Sequence, residues 1–212
     1  MVSEQNKNDL DHRGPRIMTR QTEEIRLAKL GSETIQLEGV MPQVGERLDA
    51  SFSIPAARHA ESPLSATELL RGLVIVSTLP NIQKHACITQ IVDLEAQAKE
   101  RVPSARLVHI SSDHADHWLE VDRFHPDVET PGYSLCCADP GSRQAFSQAF
   151  GVGVVAHHRI AHGLFALHEG VFVAVAIPED QMRTAEVAGF MEQLCRSLGQ
   201  GWTPLPKPIK QV

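Results

Sequence analysis

The sequence lacks the features of several protein classes. Its 212 residues contain no uninterrupted apolar run of about 18 residues, so we expect no helix that spans a membrane. There is no basic stripe, and 20 Lys and Arg against 26 Asp and Glu give a formal net charge of −6, which argues against general nucleic-acid binding. Residues 1–20 contain no apolar core like that of a signal peptide, so we expect a cytoplasmic protein.

Cysteine is scarce, with four residues in the whole chain: Cys87, Cys136, Cys137 and Cys195. Their spacing is not that of a secreted disulfide framework, and a chain of this length does not need one to be stable. The neighbours Cys136 and Cys137 could bond to each other only with unusual local geometry. We therefore expect free thiols in a reducing compartment.

The hydrophobic pattern predicts one α/β domain at residues 21–200, between a disordered polar leader at 1–20 and an extended tail at 201–212 that holds three prolines. Alternating apolar residues on both sides of Gly31 predict an N-terminal β-hairpin. The further predicted elements are strands at 73–77, 106–110 and 133–137, helices at 88–98, 113–124, 143–150 and 184–198, and a hairpin at 164–175. This order predicts a thioredoxin-like mixed sheet flanked by helices, with an N-terminal β-hairpin extension.

Two of these elements carry detailed expectations. In the helix at 113–124 we expect Trp118, Leu119 and Phe124 to point inward. In the strand at 133–137 the alternation of side chains sends Cys136 and Cys137 in opposite directions.

The segment from Pro80 to Cys87 contains the residue that we expect to be chemically reactive. It follows a buried strand and leads into a helix, which places the thiol of Cys87 at a helix N-terminus. Backbone N–H groups and the helix dipole favour the thiolate there, and the thiolate is the nucleophilic form of cysteine. The sequence therefore predicts that Cys87 is a reactive thiol.

Several short segments stand in an order that resembles the atypical two-cysteine thiol peroxidases, the Tpx branch of the peroxiredoxins. They are residues 41–45, 80–87, 110–113 and 148–152, and the resemblance runs from about Ile25 to Leu198. It implies that Cys87 is the peroxidatic cysteine, whose thiolate attacks a peroxide and becomes a sulfenic acid that a thiol then reduces.

The central motif of that family is Pro-x-x-x-Thr-x-x-Cys, and this sequence departs from it. Pro80 and Cys87 occupy the matching positions, but Lys84 replaces the threonine that orients the peroxide. The activating arginine of the family falls near Gly163, and its resolving cysteine falls at His125. The resemblance therefore implies a peroxidase without two of its usual polar groups, and a slower reaction.

Other residues are candidates to replace these polar groups, and each of them also has a simpler explanation. Lys84 is either a cation that stabilises the thiolate or a solvated loop residue, and His85 is either a proton acceptor or metal ligand or an exposed polar residue. Arg143 and Arg159 are candidates for the missing guanidinium, although most such arginines are surface residues.

Two thiols are candidates for the missing resolving cysteine. They are Cys136 and Cys137, of which at least one is expected in the strand core, and Cys195 is expected in the core of the last helix. Eleven histidines are a large number for this chain, but no metal-binding motif such as CxxC or HExxH accompanies them. We therefore expect most of them to be surface residues that have no common function.

The main hypothesis is a cytoplasmic, homodimeric thiol peroxidase that reduces hydrogen peroxide or organic hydroperoxides. It needs no cofactor, and a thioredoxin-like protein or a small thiol is its reductant. One alternative is a redoxin fold without peroxidase activity that serves as a binding or redox-sensing module. Another is a metal-binding redoxin that uses Cys87 and His85.

Overall fold

The computed structural model describes residues 26–126, 128–155 and 157–199. The predicted leader at 1–20, Ile25 and the predicted tail at 201–212 lie outside these residues. In the part of the chain that is described, no helix is both long and apolar enough to cross a membrane.

The strands are β1 (Arg26–Leu30), β2 (Glu33–Glu38), β3 (Ser53–Ile54), β4 (Ala56–Arg58), β5 (Leu64–Ser65), β6 (Leu73–Leu79), β7 (Arg106–Ser111), β8 (Gly132–Ser134), β9 (Gly153–Val154), β10 (Gly163–His168) and β11 (Val171–Ala176). The α-helices are α1 (His85–Arg101), α2 (Trp118–Phe124), α3 (Pro140–Phe150) and α4 (Val187–Gly199). Short 3-10 helices are found at Ala66–Leu70, Ala115–His117 and Leu135–Cys137.

A mixed sheet in the order β11-β10-β6-β7-β8-β4 forms the centre of the domain. Strand β6 is parallel to β7 and β7 is parallel to β8, whereas the other neighbours are antiparallel. All residues of β6 are buried because the strand lies in the middle of the sheet and is covered on both faces. The predicted mixed sheet flanked by helices is confirmed.

Alternate residues of β6 belong to two hydrophobic clusters on opposite faces of the sheet. Ile75 packs in a cluster with α1 and α4, while Val76 packs in a cluster that contains α3. In the second cluster, the ring of Phe150 meets the ring of Phe165 edge-on, with 5.0 Å between centroids. Helices thus cover both faces of the sheet.

The predicted N-terminal hairpin is confirmed and extends into a small separate sheet. Strands β1 and β2 pair antiparallel around Gly31, whose φ of 64° suits a tight turn. Strand β2 also pairs with β9, just before the segment that leads into β10. This pairing holds the hairpin beside the end of β6, where α1 begins.

Two detailed expectations are wrong. Strand β8 ends at Ser134, and the residues from Leu135 to Cys137 turn as a 3-10 helix, so strand alternation does not apply to the two thiols. Helix α2 starts at Trp118, which is buried, but Leu119 and Phe124 are 67% and 65% exposed. The short helix presents the face of Trp118 to the core, and Leu119 lies about 100° around from it.

Candidate active site

The turn between β6 and α1 places Cys87. The N–H of Lys84 donates to the carbonyl of Asn81 at 3.0 Å, which tightens the turn. Ile82 is fully buried, and its N–H donates to the Asp113 carboxylate at 2.6 Å. These contacts fix the start of α1, so that its third residue, Cys87, points into the protein and is 1% exposed.

Cys87 contacts a buried histidine. Its Sγ lies 3.7 Å from Nε2 of His162, the residue immediately before β10. The other ring nitrogen of His162, Nδ1, lies 3.1 Å from Oε1 of Gln90, which is on α1 one turn after Cys87. All three side chains are buried. They form a continuous chain of thiol, imidazole and amide, which we call the Cys87–His162–Gln90 chain.

The contacts of Gln90 determine which nitrogen of His162 carries the proton. Nε2 of Gln90 donates to Oγ of Ser77 at 2.8 Å, and Oε1 accepts from the N–H of Ala185 at 3.2 Å. Because Oε1 can only accept, Nδ1 of His162 is the protonated nitrogen. Nε2 then offers its lone pair to Cys87. This is the arrangement of a nucleophile, a base and a group that orients the base.

Burial keeps both reacting groups neutral. It raises the pKa of Cys87 to about 12, an effect that the backbone of Asn81 opposes, Asp113 reinforces and Arg159 opposes. Burial also lowers the pKa of His162 to about 4. At neutral pH the pair is therefore a thiol and a neutral imidazole. The expectation that the helix N-terminus favours a thiolate is wrong for the resting protein, because burial outweighs it.

A cavity of about 390 Å³ is lined by Cys87 and His162 together, and we call it the Cys87 cavity. Its walls are largely apolar and include Leu30 and Ile35 of the N-terminal hairpin and Met182 of the segment before α4. A nucleophile and a base thus lie side by side on the wall of an apolar cavity. Apolar walls lower the local dielectric constant and so strengthen the electrostatic interactions between the reacting groups.

Comparison with known proteins gives matches among structures alone: no family model matches the sequence, and no curated protein does. The thiol peroxidase from Chromobacterium violaceum superposes with a TM-score of 0.68 over 82% of this chain and 98% of that chain, at 13% identity. A peroxiredoxin-like protein from Aquifex aeolicus gives a TM-score of 0.64 over 81% and 97%, at 14% identity. AhpC from Enterococcus faecalis gives 0.61 over 78% and 100%, at 19% identity.

The chain has the thioredoxin-like fold of the peroxiredoxins. The predicted fold is therefore confirmed, including its hairpin extension, and the matches cover nearly the full length of each neighbour. At these identities the likeness extends to the fold alone. The roles of individual residues have to be argued from their positions in this chain.

The arginine expected for a peroxiredoxin has no room at Gly163. A Cβ atom there would lie 2.7 Å from the ring of Phe165 and 3.0 Å from Oγ1 of Thr78. Since Phe165 is fully buried in the core, a larger residue at Gly163 would displace packed side chains. The neighbouring position, His162, provides the side chain that contacts Cys87 instead.

Of the two arginines considered as replacements, Arg159 lines the Cys87 cavity and Arg143 does not. Arg159 donates through Nη1 to the carbonyl of Pro80 at 2.7 Å and lies 3.9 Å from Oδ1 of Asp113. Arg143 lines a neighbouring cavity of about 450 Å³, which Arg159 also lines. The structure thus places Pro80 and Arg159 together at the Cys87 cavity.

Lys84 and His85 lie at the surface end of the same loop. Lys84 is exposed, lines the Cys87 cavity and is the N-cap residue of α1, without a side-chain cap hydrogen bond. His85 is exposed as well, and its Nε2 lies 3.4 Å from Oγ1 of Thr89 on the next turn of the helix. Cys87, by contrast, faces inward to His162.

The residues considered for the resolving step lie away from the Cys87 cavity. His125 is the C-cap of α2, where its N–H donates to the carbonyl of Val121. Cys136 and Cys137 lie on the 3-10 turn after β8, and neither lines the Cys87 cavity. Cys195 is half-buried and packs against the cluster of α1 and α4.

His162 and Gln90 are the site residues that the sequence reading missed. Gln90 could have been identified from the sequence, because it follows Cys87 by three residues and therefore lies on the same face of α1. His162 gives no local signal, because 75 residues separate it from Cys87 in the sequence. Among the described residues, His, Cys, Asp and Glu side chains form no group of three or more that could hold a metal ion.

Proposed function

We propose that this chain is a thiol peroxidase of the peroxiredoxin type, with residues 21–200 as its catalytic domain. The observation that carries the proposal is the 3.7 Å contact between Sγ of Cys87 and Nε2 of His162 in the wall of the Cys87 cavity. In this proposal Cys87 is the nucleophile and His162 accepts its proton. Gln90 orients the imidazole of His162 as a positioning residue.

The first half-reaction begins with a peroxide, ROOH, in the Cys87 cavity. Cys87 passes its proton to Nε2 of His162, and the resulting thiolate attacks the terminal oxygen of the peroxide. The S–O bond forms as the O–O bond breaks, and the leaving RO⁻ takes the proton back from His162. The products are the sulfenic acid of Cys87 and the alcohol ROH, or water when the substrate is hydrogen peroxide.

The second half-reaction uses an external thiol. One thiol condenses with the sulfenic acid to give a mixed disulfide and water, and a second thiol releases Cys87 as a thiol and leaves with the first as a disulfide. The likeness to peroxiredoxins supports a thioredoxin-like protein or a small thiol as this reductant. We also include in the proposal a homodimer, which the resemblance of the sequence to thiol peroxidases implies, and a cytoplasmic location.

Two cations assist the first half-reaction in this proposal. Arg159 lowers the pKa of Cys87, though less than burial raises it, and the carbonyl of Pro80 holds its guanidinium beside the cavity. Lys84 is exposed at the cavity, where it adds positive charge in place of the usual threonine hydroxyl. Both charges favour the negative charge that develops on sulfur and on the leaving oxygen. We assign no catalytic part to His85, whose ring contacts Thr89.

The test is the intact mass of reduced protein after brief exposure to equimolar hydrogen peroxide in the presence of a sulfenate trap. We expect one trapped adduct in the wild type, none in Cys87→Ser, and wild-type behaviour in the matched control Cys195→Ser. His162→Asn should slow trapping by about 100-fold or more, the usual contribution of a positioned base. Absence of trapping in the wild type over many minutes would overturn the proposal.

The burial of Cys87 supports a second candidate, a redoxin-fold binding or sensing module without peroxidase activity. The thiol is 1% exposed and its pKa is raised to about 12, both of which reduce its intrinsic reactivity. This candidate predicts no peroxide consumption by either the wild type or Cys87→Ser. Consumption by the wild type that is lost in Cys87→Ser excludes it.

A further inference from the structure

Cys136 and Cys137 form a pair of free thiols outside the Cys87 cavity. The 3-10 turn at Leu135–Cys137 brings their side chains to the same side, and the two Sγ atoms lie 3.8 Å apart. Cys137 is exposed and Cys136 is partly buried, so reagents in solution can reach the pair. Neither thiol has a part in the reaction proposed for Cys87.

The surroundings of the pair hold it in this arrangement. The hydroxyl of Ser134 donates to the carbonyl of Asp113 at 2.5 Å, and its Oγ lies 3.1 Å from Sγ of Cys137 and 3.5 Å from Sγ of Cys136. Burial tends to raise the pKa of Cys137, but hydrogen bonds, among them those with the Ala115 backbone and Cys136, outweigh it and lower the pKa. Cys137 is therefore the better nucleophile of the two.

The distance between the sulfurs limits what can join them. A disulfide needs an S–S bond of about 2.05 Å and would have to close a strained ring between adjacent residues. Two bonds of about 2.3 Å to one bridging atom place the sulfurs about 4.6 Å apart when collinear and about 3.4 to 3.8 Å apart when bent. The observed 3.8 Å fits a bent bridge.

The number of available protein ligands restricts which element can bridge the two sulfurs. A structural zinc ion takes four protein ligands, and the described residues offer no group of three or more His, Cys, Asp and Glu side chains. A trivalent metalloid such as arsenic(III) is thiophilic and pyramidal, so it can bind two thiolates at a bent angle and keep its third substituent. Cys136 and Cys137 meet that requirement, since Cys137 is exposed, Cys136 is partly so, and the described residues add no third ligand.

We propose that Cys136 and Cys137 form a chelating dithiol site for trivalent arsenicals. With a monosubstituted arsenical RAs=O, both S–H bonds break, two As–S bonds form, and the two protons leave with the oxygen as one water. No oxidation or reduction occurs, so the reaction needs no other reactant. The site is independent of the peroxidase reaction, since Cys87 takes no part in it.

The test uses reduced full-length protein and phenylarsine oxide as the probe, with intact-mass detection. We expect one adduct, heavier than the protein by one phenylarsine oxide less one water, that survives excess monothiol and is removed by a 1,2-dithiol. Cys136→Ser and Cys137→Ser should each weaken binding at least 100-fold, because a single As–S bond loses the chelate and exchanges readily with free monothiol. Far-ultraviolet circular dichroism establishes that each variant is folded.

The matched controls are Cys87→Ser and Cys195→Ser, which keep the pair and should bind as the wild type does. The proposal is overturned if the wild type gives no adduct that resists monothiol, if either single variant of the pair retains such an adduct, or if Cys87→Ser loses it. None of these results bears on peroxide reduction, which the sulfenate trap measures separately.

Discussion

Replacing His162 by asparagine should flatten the pH dependence of stability. Asparagine keeps an N–H that can donate to Oε1 of Gln90 but removes the group that titrates. The pKa of His162 is about 4 in the native protein, against an ordinary value of 6.5. As pH falls below about 6.5, the unfolded chain binds a proton that the native protein excludes, so the free energy of unfolding decreases until the pH reaches about 4.

The size of the effect follows from the difference between the two pKa values. A difference of about 2.5 units corresponds to about 3 kcal/mol at 1.36 kcal/mol per unit. The wild type should therefore lose about 3 kcal/mol more than His162→Asn between pH 7 and pH 4. The buried His109, whose pKa burial also lowers, adds to the decrease in both proteins equally and cancels in the difference.

The assay is urea unfolding followed by circular dichroism at a series of pH values, with the slope against urea compared between the proteins at each pH. His85→Asn is the matched control, because the side chain it removes is exposed, and its curve should follow the wild type. Parallel curves for the wild type and His162→Asn would refute the reasoning. They would mean that His162 is not held neutral by burial beside Cys87.

Further predictions concern the site and its packing. Lys84→Thr removes the positive charge that assists the first half-reaction and should lower the rate of peroxide consumption about tenfold; a gain instead would mean that the missing hydroxyl of the family motif limits the reaction more than the charge helps it. Gln90→Leu removes the acceptor that fixes the histidine tautomer and should lower the same rate at least about tenfold in a stopped-flow assay. Gly163→Ala should reduce the free energy of unfolding in urea by about 1 to 3 kcal/mol, because its Cβ meets a buried phenylalanine ring at 2.7 Å. Gly199→Ala, which adds a Cβ in open space, is its control and should cause no such loss. The rate of peroxide consumption should change little between about pH 5 and pH 9, since Cys87 and His162 both stay neutral there. A tenfold rise per pH unit would instead indicate that the reactive form is a thiolate produced by loss of the proton to solvent.

The fold could be predicted from the sequence because local patterns determine most of it. The apolar run of β6, the helical spacing after Cys87 and the turn at Gly31 each specify an element and its place in the chain. The 3-10 turn at Leu135–Cys137 could not be predicted in this way. The five residues at 133–137, of which only Ser134 is clearly polar, fit a strand equally well, and tertiary contacts such as the hydrogen bond from Ser134 to Asp113 decide between the two.

The site could be predicted only in part. The position of Cys87 at the start of a helix follows from local sequence. The partner of Cys87 depends on the register of β10 beside β6, in which Gly163 lies opposite Thr78. That register brings His162 to the end of β6, and no short-range pattern contains it. The degree of burial, which sets the pKa of the thiol, is likewise a property of the whole fold.

The packing at Gly163 is connected with the burial of Cys87 and with the role of His162. Because Gly163 has no side chain, Phe165 and Thr78 pack into the space that a larger residue at this position would occupy. Cys87 is buried beside this packing, and burial raises the pKa of its thiol more than the charge of Arg159 lowers it. A thiol in that state reacts only if a neighbouring group can take its proton when a substrate arrives. His162 meets that need because the same burial keeps its imidazole neutral, and Gln90 directs the free lone pair at sulfur.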